Sequence, residues 1–118
     1  RPMPGIEIVT QPSDWQALRE LSRTRPVWLL KHSTTCGISA AARREYERFA
    51  ATAAPGETAR FALVEVQPSR ALCRQIAAET GIPHESPQVL LLRGGEVVWN
   101  ASHFGITTDA LARAGRPV

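Results

Sequence analysis

One run of seven residues, PVWLLKH from Pro26 to His32, constrains this chain more than any other stretch. It is apolar through Leu30 without alternation and has the length of a strand, as expected of a strand buried on both faces at the centre of a sheet. Such a sheet has to be covered by helices on each side.

The flanking segments supply them. Ile6 to Val9 reads as a short strand, and Pro12-Ser13-Asp14-Trp15-Gln16 predicts a helix start with Ser13 and Gln16 as a capping box. That helix should run to about Arg23, with Trp15, Leu18 and Leu21 packed on one face. Beyond the central strand, Ile38, Ala42, Tyr46, Phe49 and Ala53 step by four, four, three and four. This spacing predicts a second helix from Cys36 to a stop at Pro55-Gly56, with Arg43, Arg44, Glu45 and Glu47 on its other face. Arg60 to Val66 is a further strand, and Pro68-Ser69 opens a third helix that Gly81-Ile82-Pro83 ends. Gln88 to Leu92 and Glu96 to Ala101 flank Arg93-Gly94-Gly95, a tight antiparallel hairpin, and Thr107-Thr108-Asp109 caps a last helix through about Ala114. The expectation is one α/β domain over residues 1–118, a mixed central sheet with helices on both faces.

Several function classes lack the residues they need. The net charge of +3 comes from Lys and Arg spread along the chain, with no basic stripe interleaved with aromatics, so no nucleic-acid partner is expected. Two cysteines make no disulfide framework, and no His/Cys cluster has metal-ligand spacing, so no zinc is expected. No leader and no run of about 18 apolar residues is found, which points to the reducing cytosol and away from membranes. Met3 reads as the natural start, with Arg1-Pro2 a leftover ahead of it.

Cys36 is the residue with chemistry to offer. It stands where the central strand gives way to a helix, and Ser33, Thr34, Thr35 and Gly37 make a polar turn around it. Unpaired N–H groups and the positive dipole end of a helix start favour a thiolate, the nucleophilic form. The bland alternative is an inert thiol packed as a small hydrophobe. For Cys73, beside Leu72 and Ile76 on the apolar stripe of the third helix, that bland reading is preferred, with a distant resolving thiol as the alternative.

The order of elements, the cysteine at the strand-to-helix turn and Pro87 at the opening of the hairpin together resemble the thioredoxin fold over nearly the whole chain. The resemblance implies that the Ser86-Pro87 bond is cis and faces Cys36, leaving the backbone of Ser86 free to pair with an extended substrate. Dithiol members carry a second cysteine where this chain has Ser39, whose hydroxyl can hydrogen-bond a thiolate but cannot resolve a mixed disulfide. Within that fold, KHSTTCGISAAA, HESPQVLLL and SHFGIT are similar to the monothiol bacilliredoxins of the YtxJ type, whose usual active-site run is Thr-Cys-Pro-Ile-Ser. That likeness implies a cytosolic, monomeric enzyme without a bound cofactor. Its Cys36 would remove bacillithiol, a glucosaminyl-malate thiol and the co-substrate, from bacillithiolated proteins, with Thr35, Gly37, Ile38, Ser39, Ser86 and Pro87 binding substrate. Lys31, His32 and His103 could meet the malate carboxylates, although alternation keeps Lys31 and His32 on opposite faces; singly, a solvated Lys and a packed or hydrogen-bonded His are expected.

Gly37 departs from the family proline. Cys36-Gly37-Ile38-Ser39 also resembles the Cys-Gly-Phe-Ser run of monothiol glutaredoxins, which hold a [2Fe–2S] cluster with glutathione, but WNASHFGIT replaces their Gly-Gly-x-Asp loop. A third possibility is a non-catalytic module that docks an extended peptide against Pro87.

Overall fold

The computed structural model describes residues 5–52 and 59–116. The helix stop at Pro55-Gly56, the apolar position Ala53 and the start at Met3 lie outside the described residues.

The elements are β1 (Ile6–Ile8), α1 (Pro12–Leu21), β2 (Val27–His32), α2 (Gly37–Ala51), β3 (Arg60–Glu65), α3 (Arg70–Thr80), β4 (Gln88–Arg93), β5 (Glu96–Ser102) and α4 (Thr108–Ala114), with single 3-10 turns at Gln67–Ser69 and His103–Gly105. The sheet order is β1-β3-β2-β4-β5, and every residue of β2 is buried, as its unbroken apolar run requires. Alternate residues of β2 feed two cores. Val27 and Leu29 join Trp15 and Leu18 of α1 and Leu72, Cys73 and Ile76 of α3; Trp28 and Leu30 join Ala42 and Tyr46 of α2 and Leu111 of α4. In the second core the Tyr46 hydroxyl donates to Ala62 O at 2.8 Å and accepts from Ala62 N at 3.2 Å, so the polar end of a fully buried ring is satisfied.

Two local details differ from the sequence reading. Helix α1 begins at Pro12, with Gln11 as its N-cap, and the Asp14 carboxylate accepts from Thr10 N and Gln11 N at 3.1 and 3.0 Å. Ser13 therefore lies inside the first turn, because a proline, lacking an N–H, fits the first helical position. The helix also stops at Leu21, two residues before Arg23.

Strand direction is mixed, as the sequence reading expected of the sheet. Strands joined through helices should run parallel, and β1, β2 and β3 do. Strand β4, although joined to β3 through α3, runs antiparallel to β2. Gly81 ends α3 in the left-handed conformation (φ 74°), and the connection 82–87, about 20 Å at full stretch, is long enough to return the chain to the edge where β2 ends. Gln88 consequently pairs with Lys31, which sets Ser86-Pro87 beside the β2–α2 turn.

At the opposite end, Gly94 and Gly95 supply φ values of 64° and 83° for the hairpin turn. Their N–H groups donate to Ser22 O and Ser22 Oγ at 2.7 and 2.9 Å, tying the tip to the end of α1. Among the described residues, no helix is long and apolar enough to cross a membrane.

Candidate active site

Cys36 is the N-cap of α2. Its backbone is extended (φ −110°, ψ 127°), its carbonyl accepts the first helical bond from Ala40 N at 3.0 Å, and the residue is partly exposed. The polar turn read from the sequence is confirmed around it, with Thr34, Thr35 and Gly37 exposed and Ser33 and Ile38 half-buried.

Ser39 points elsewhere than expected. It is fully buried, its Oγ accepts from Ser33 N at 2.9 Å, and it lies 2.9 Å from His32 Nδ1. Burial, with the Arg43 charge second, holds His32 below the usual imidazole range. The hydroxyl is thus spent on locking the 33–39 turn and not on the sulfur.

A residue that the sequence reading passed over completes the lock. Gln67 donates through Nε2 to Ser33 Oγ at 2.7 Å and Thr35 Oγ1 at 3.1 Å, while its Oε1 accepts from Thr34 N at 3.2 Å. It clamps all three residues ahead of Cys36. No local signal marks it, since it reaches the site only because β3 lies beside β2 in the sheet.

The Ser86-Pro87 bond is cis. Pro87 O accepts from His103 N at 3.0 Å, which ties the turn after β5 to the proline loop. Ser86 Oγ is buried without a partner among the described residues. Of the predicted set, Thr35, Gly37, Ile38 and Ser39 surround the thiol along the chain, and Ser86 and Pro87 join them through the pairing of β4 with β2.

Lys31 corrects an expectation. It is not solvated: its side chain is fully buried on the α1/α3 side, with Nζ 3.4 Å from His84 Nδ1, and burial holds the amine below its ordinary range despite opposing attraction from Cys73 and Glu85. The strand that hides it is central, so both of its faces are covered. His32, hydrogen-bonded as expected of it, is buried as well. Only His103 of the three suggested malate partners is exposed, with Nε2 3.7 Å from Glu85 Oε2.

Cys73 is buried in the α1/α3 core, and burial pushes its thiol up, partly offset by Lys31 and Arg70. Among the described residues no group of three or more His, Cys, Asp or Glu side chains comes together as a metal site.

The arrangement offers one accessible sulfur at a helix N-cap, a rigid polar turn and a cis-proline loop beside it. Among solved structures, the chain is similar to a protein described as having a thioredoxin fold and provisionally as an oxidoreductase, at 30% identity and a TM-score of 0.82 over 95% of each chain. It also superposes on spinach chloroplast thioredoxin f (19% identity, TM-score 0.71, 97% of this chain and 94% of that one) and on a mutant thioredoxin from Halobacterium salinarum (18% identity, TM-score 0.73, 100% and 98%). These likenesses establish a thioredoxin-like fold. The sequence profile of the monothiol bacilliredoxin BrxC matches residues 7–111, a span that holds the lone N-cap cysteine, the inward serine and the cis-proline loop. The chain thus belongs to the monothiol bacilliredoxin family of thioredoxin-fold redox proteins.

Proposed function

We propose that this protein is a cytosolic enzyme that removes bacillithiol from mixed disulfides on other proteins, with Cys36 as nucleophile. The observation that carries the reading is the pairing of a partly exposed thiol at the α2 N-cap with a serine, three residues on, that is buried and already hydrogen-bonded. The first can attack a disulfide; the second leaves the resulting mixed disulfide without an internal rescuer.

In the first step the Cys36 thiolate attacks the bacillithiol sulfur of the modified protein. The old S–S bond breaks, the protein thiolate leaves and takes up a proton, and Cys36 carries bacillithiol as a mixed disulfide. A second bacillithiol thiolate then attacks that carried sulfur, releasing bacillithiol disulfide and the Cys36 thiolate. Bacillithiol is thus co-substrate, and the enzyme works as a monomer without a resident cofactor or metal. Thr35, Gly37 and Ile38 border the sulfur, Ser39 holds their turn, and the backbone of Ser86 beside Pro87 pairs with the extended chain of the protein substrate. The unpartnered Ser86 hydroxyl supports that placement, since a buried polar group without a partner is uncommon.

The test is intact-mass spectrometry of wild type and Cys36→Ser, each mixed with a bacillithiolated and, separately, a glutathionylated protein. Wild type alone should gain the mass of bacillithiol as the target is freed. Transfer of glutathione only would assign the protein to glutathione chemistry, and no transfer at all would leave a docking module.

A further inference from the structure

A groove of about 300 Å³ opens along α2 from Ile38, next to the reactive thiol, past Arg44 toward Arg48, with His103 and Phe104 on the facing wall. Its two walls are unlike the rest of the surface. Phe104 is 78% exposed, the largest exposure of any large apolar side chain among the described residues. His103 before it holds a positive φ of 53°, a conformation that costs energy outside glycine, and its N–H bond to Pro87 O holds the turn in place beside the proline loop. An aromatic ring is thereby presented to solvent at the rim of the site.

The helical wall supplies charge. Arg43 is paired with Glu47 at 2.8 Å and Arg48 with Glu45 at 3.1 Å, whereas Arg44 makes no ion pair among the described residues. Glu45 is the carboxylate in the groove. It accepts from Thr108 N at 2.9 Å and Thr108 Oγ1 at 3.1 Å besides Arg48, and these donors hold it below the usual carboxylate range. The unspent group facing a ligand is therefore the Arg44 guanidinium.

We propose that this groove is the subsite for the sugar and dicarboxylate portion of the small thiol carried on Cys36, with Phe104 against the sugar face and Arg44 on a malate carboxylate. The assignment rests on the de-bacillithiolation reading above. Length selects Arg44 over Arg48. From sulfur to malate carboxylate, a cysteinyl glucosaminyl malate spans about nine bonds, roughly 11 Å extended. Along the helix axis Arg44 stands about 12 Å beyond Cys36 and Arg48 about 18 Å. Helical side chains also lean toward the N-terminus, which brings the Arg44 head back toward the sulfur. A guanidinium fork suits a carboxylate, and an exposed aromatic ring covers the apolar face of a pyranose.

The test is an exchange equilibrium on Cys36, in which the bacillithiol mixed disulfide plus free cysteine goes to the cysteine mixed disulfide plus free bacillithiol, read by intact mass. Cysteine carries the same reacting group without sugar or malate. Wild type should favour bacillithiol; Arg44→Gln should lower that preference about 5-fold and Phe104→Ala about 3-fold. With a malate-free glucosaminyl cysteine in place of bacillithiol, Arg44→Gln should change nothing. A wild type that prefers bacillithiol while both variants keep the same ratio overturns the subsite alone. A wild type that never forms the bacillithiol adduct overturns the function on which it rests. Both side chains are exposed, so loss of folding does not confound the comparison.

Discussion

Cys36 and Cys73 each stand at the start of a helix that follows a parallel strand, yet they are chemically different residues. Cys36 caps α2 from outside the first turn, partly in solvent, with its turn held by Ser39 and Gln67. Cys73 sits one turn inside α3, faces the sheet, and is pushed toward the protonated thiol by burial. A helix start alone does not expose a thiol. Position along the helix decides it here, because Cys36 at the α2 cap is partly in solvent while Cys73, the fourth residue of α3, packs on the core.

The contrast is tested most severely by removing each sulfur. Cys36→Ser should lower bacillithiol transfer by at least about 10³-fold, since the nucleophile is gone, whereas Cys73→Ser should keep the rate within about 3-fold of wild type. Comparable losses in the two variants would erase the distinction.

Next in size is the lock behind Cys36. Ser39→Ala leaves Ser33 N–H and His32 Nδ1 without their partner in a buried place and should cost about 1–3 kcal/mol in urea unfolding. Transfer should slow as well, because the turn carrying the thiol loosens. An unchanged midpoint would show that water or a shifted His32 replaces the hydroxyl.

The surroundings of Cys73 are sharpened by Lys31→Met, which removes a buried amine whose ordinary state is charged. The variant should be more stable than wild type near pH 7, by about 1 kcal/mol, with transfer at Cys36 unaffected. The sign with pH follows from the lowered native value. Between that value and 10.5 the unfolded chain binds the proton that the native state has shed, so wild-type stability relative to the variant rises with pH and the gap closes near 10.5. Urea midpoints across that range check it, and a gap that widens would contradict the burial of Lys31.

The smallest effect belongs to Gly37→Pro. Gly37 is the first residue of α2, a Cβ built there meets nothing within 4 Å, and Cys36 already has the extended conformation that precedes proline. The substitution should raise stability by about 0.5 kcal/mol and leave transfer within about 3-fold. A large loss would assign the glycine a role in the exchange itself.

Much of this was legible along the chain, and unevenly so. The strand-length apolar run located β2, the four-residue steps located α2, and the glycine pair located the hairpin turn, because each is written in neighbouring residues. The cap of α1 was misplaced by two positions, since Gln11 and Ser13 both stand near a proline that tolerates the first turn. The burial of Lys31 was missed because a lysine is ordinarily solvated, and only coverage of both faces of β2 hides it.

By itself the sequence determined the order of elements, the lone thiol at a strand-to-helix junction and the absence of a second cysteine three residues later. Those are local facts, set by hydrophobic period and residue type. Tertiary structure alone decided that β4 runs against β2, that Gln67 clamps the turn before Cys36, that Ser39 turns inward to His32, and that Phe104 and Arg44 line one groove. Each of those joins is set by strand order, pairing direction or the way a turn closes on its neighbours, and no window of hydrophobic period contains that information.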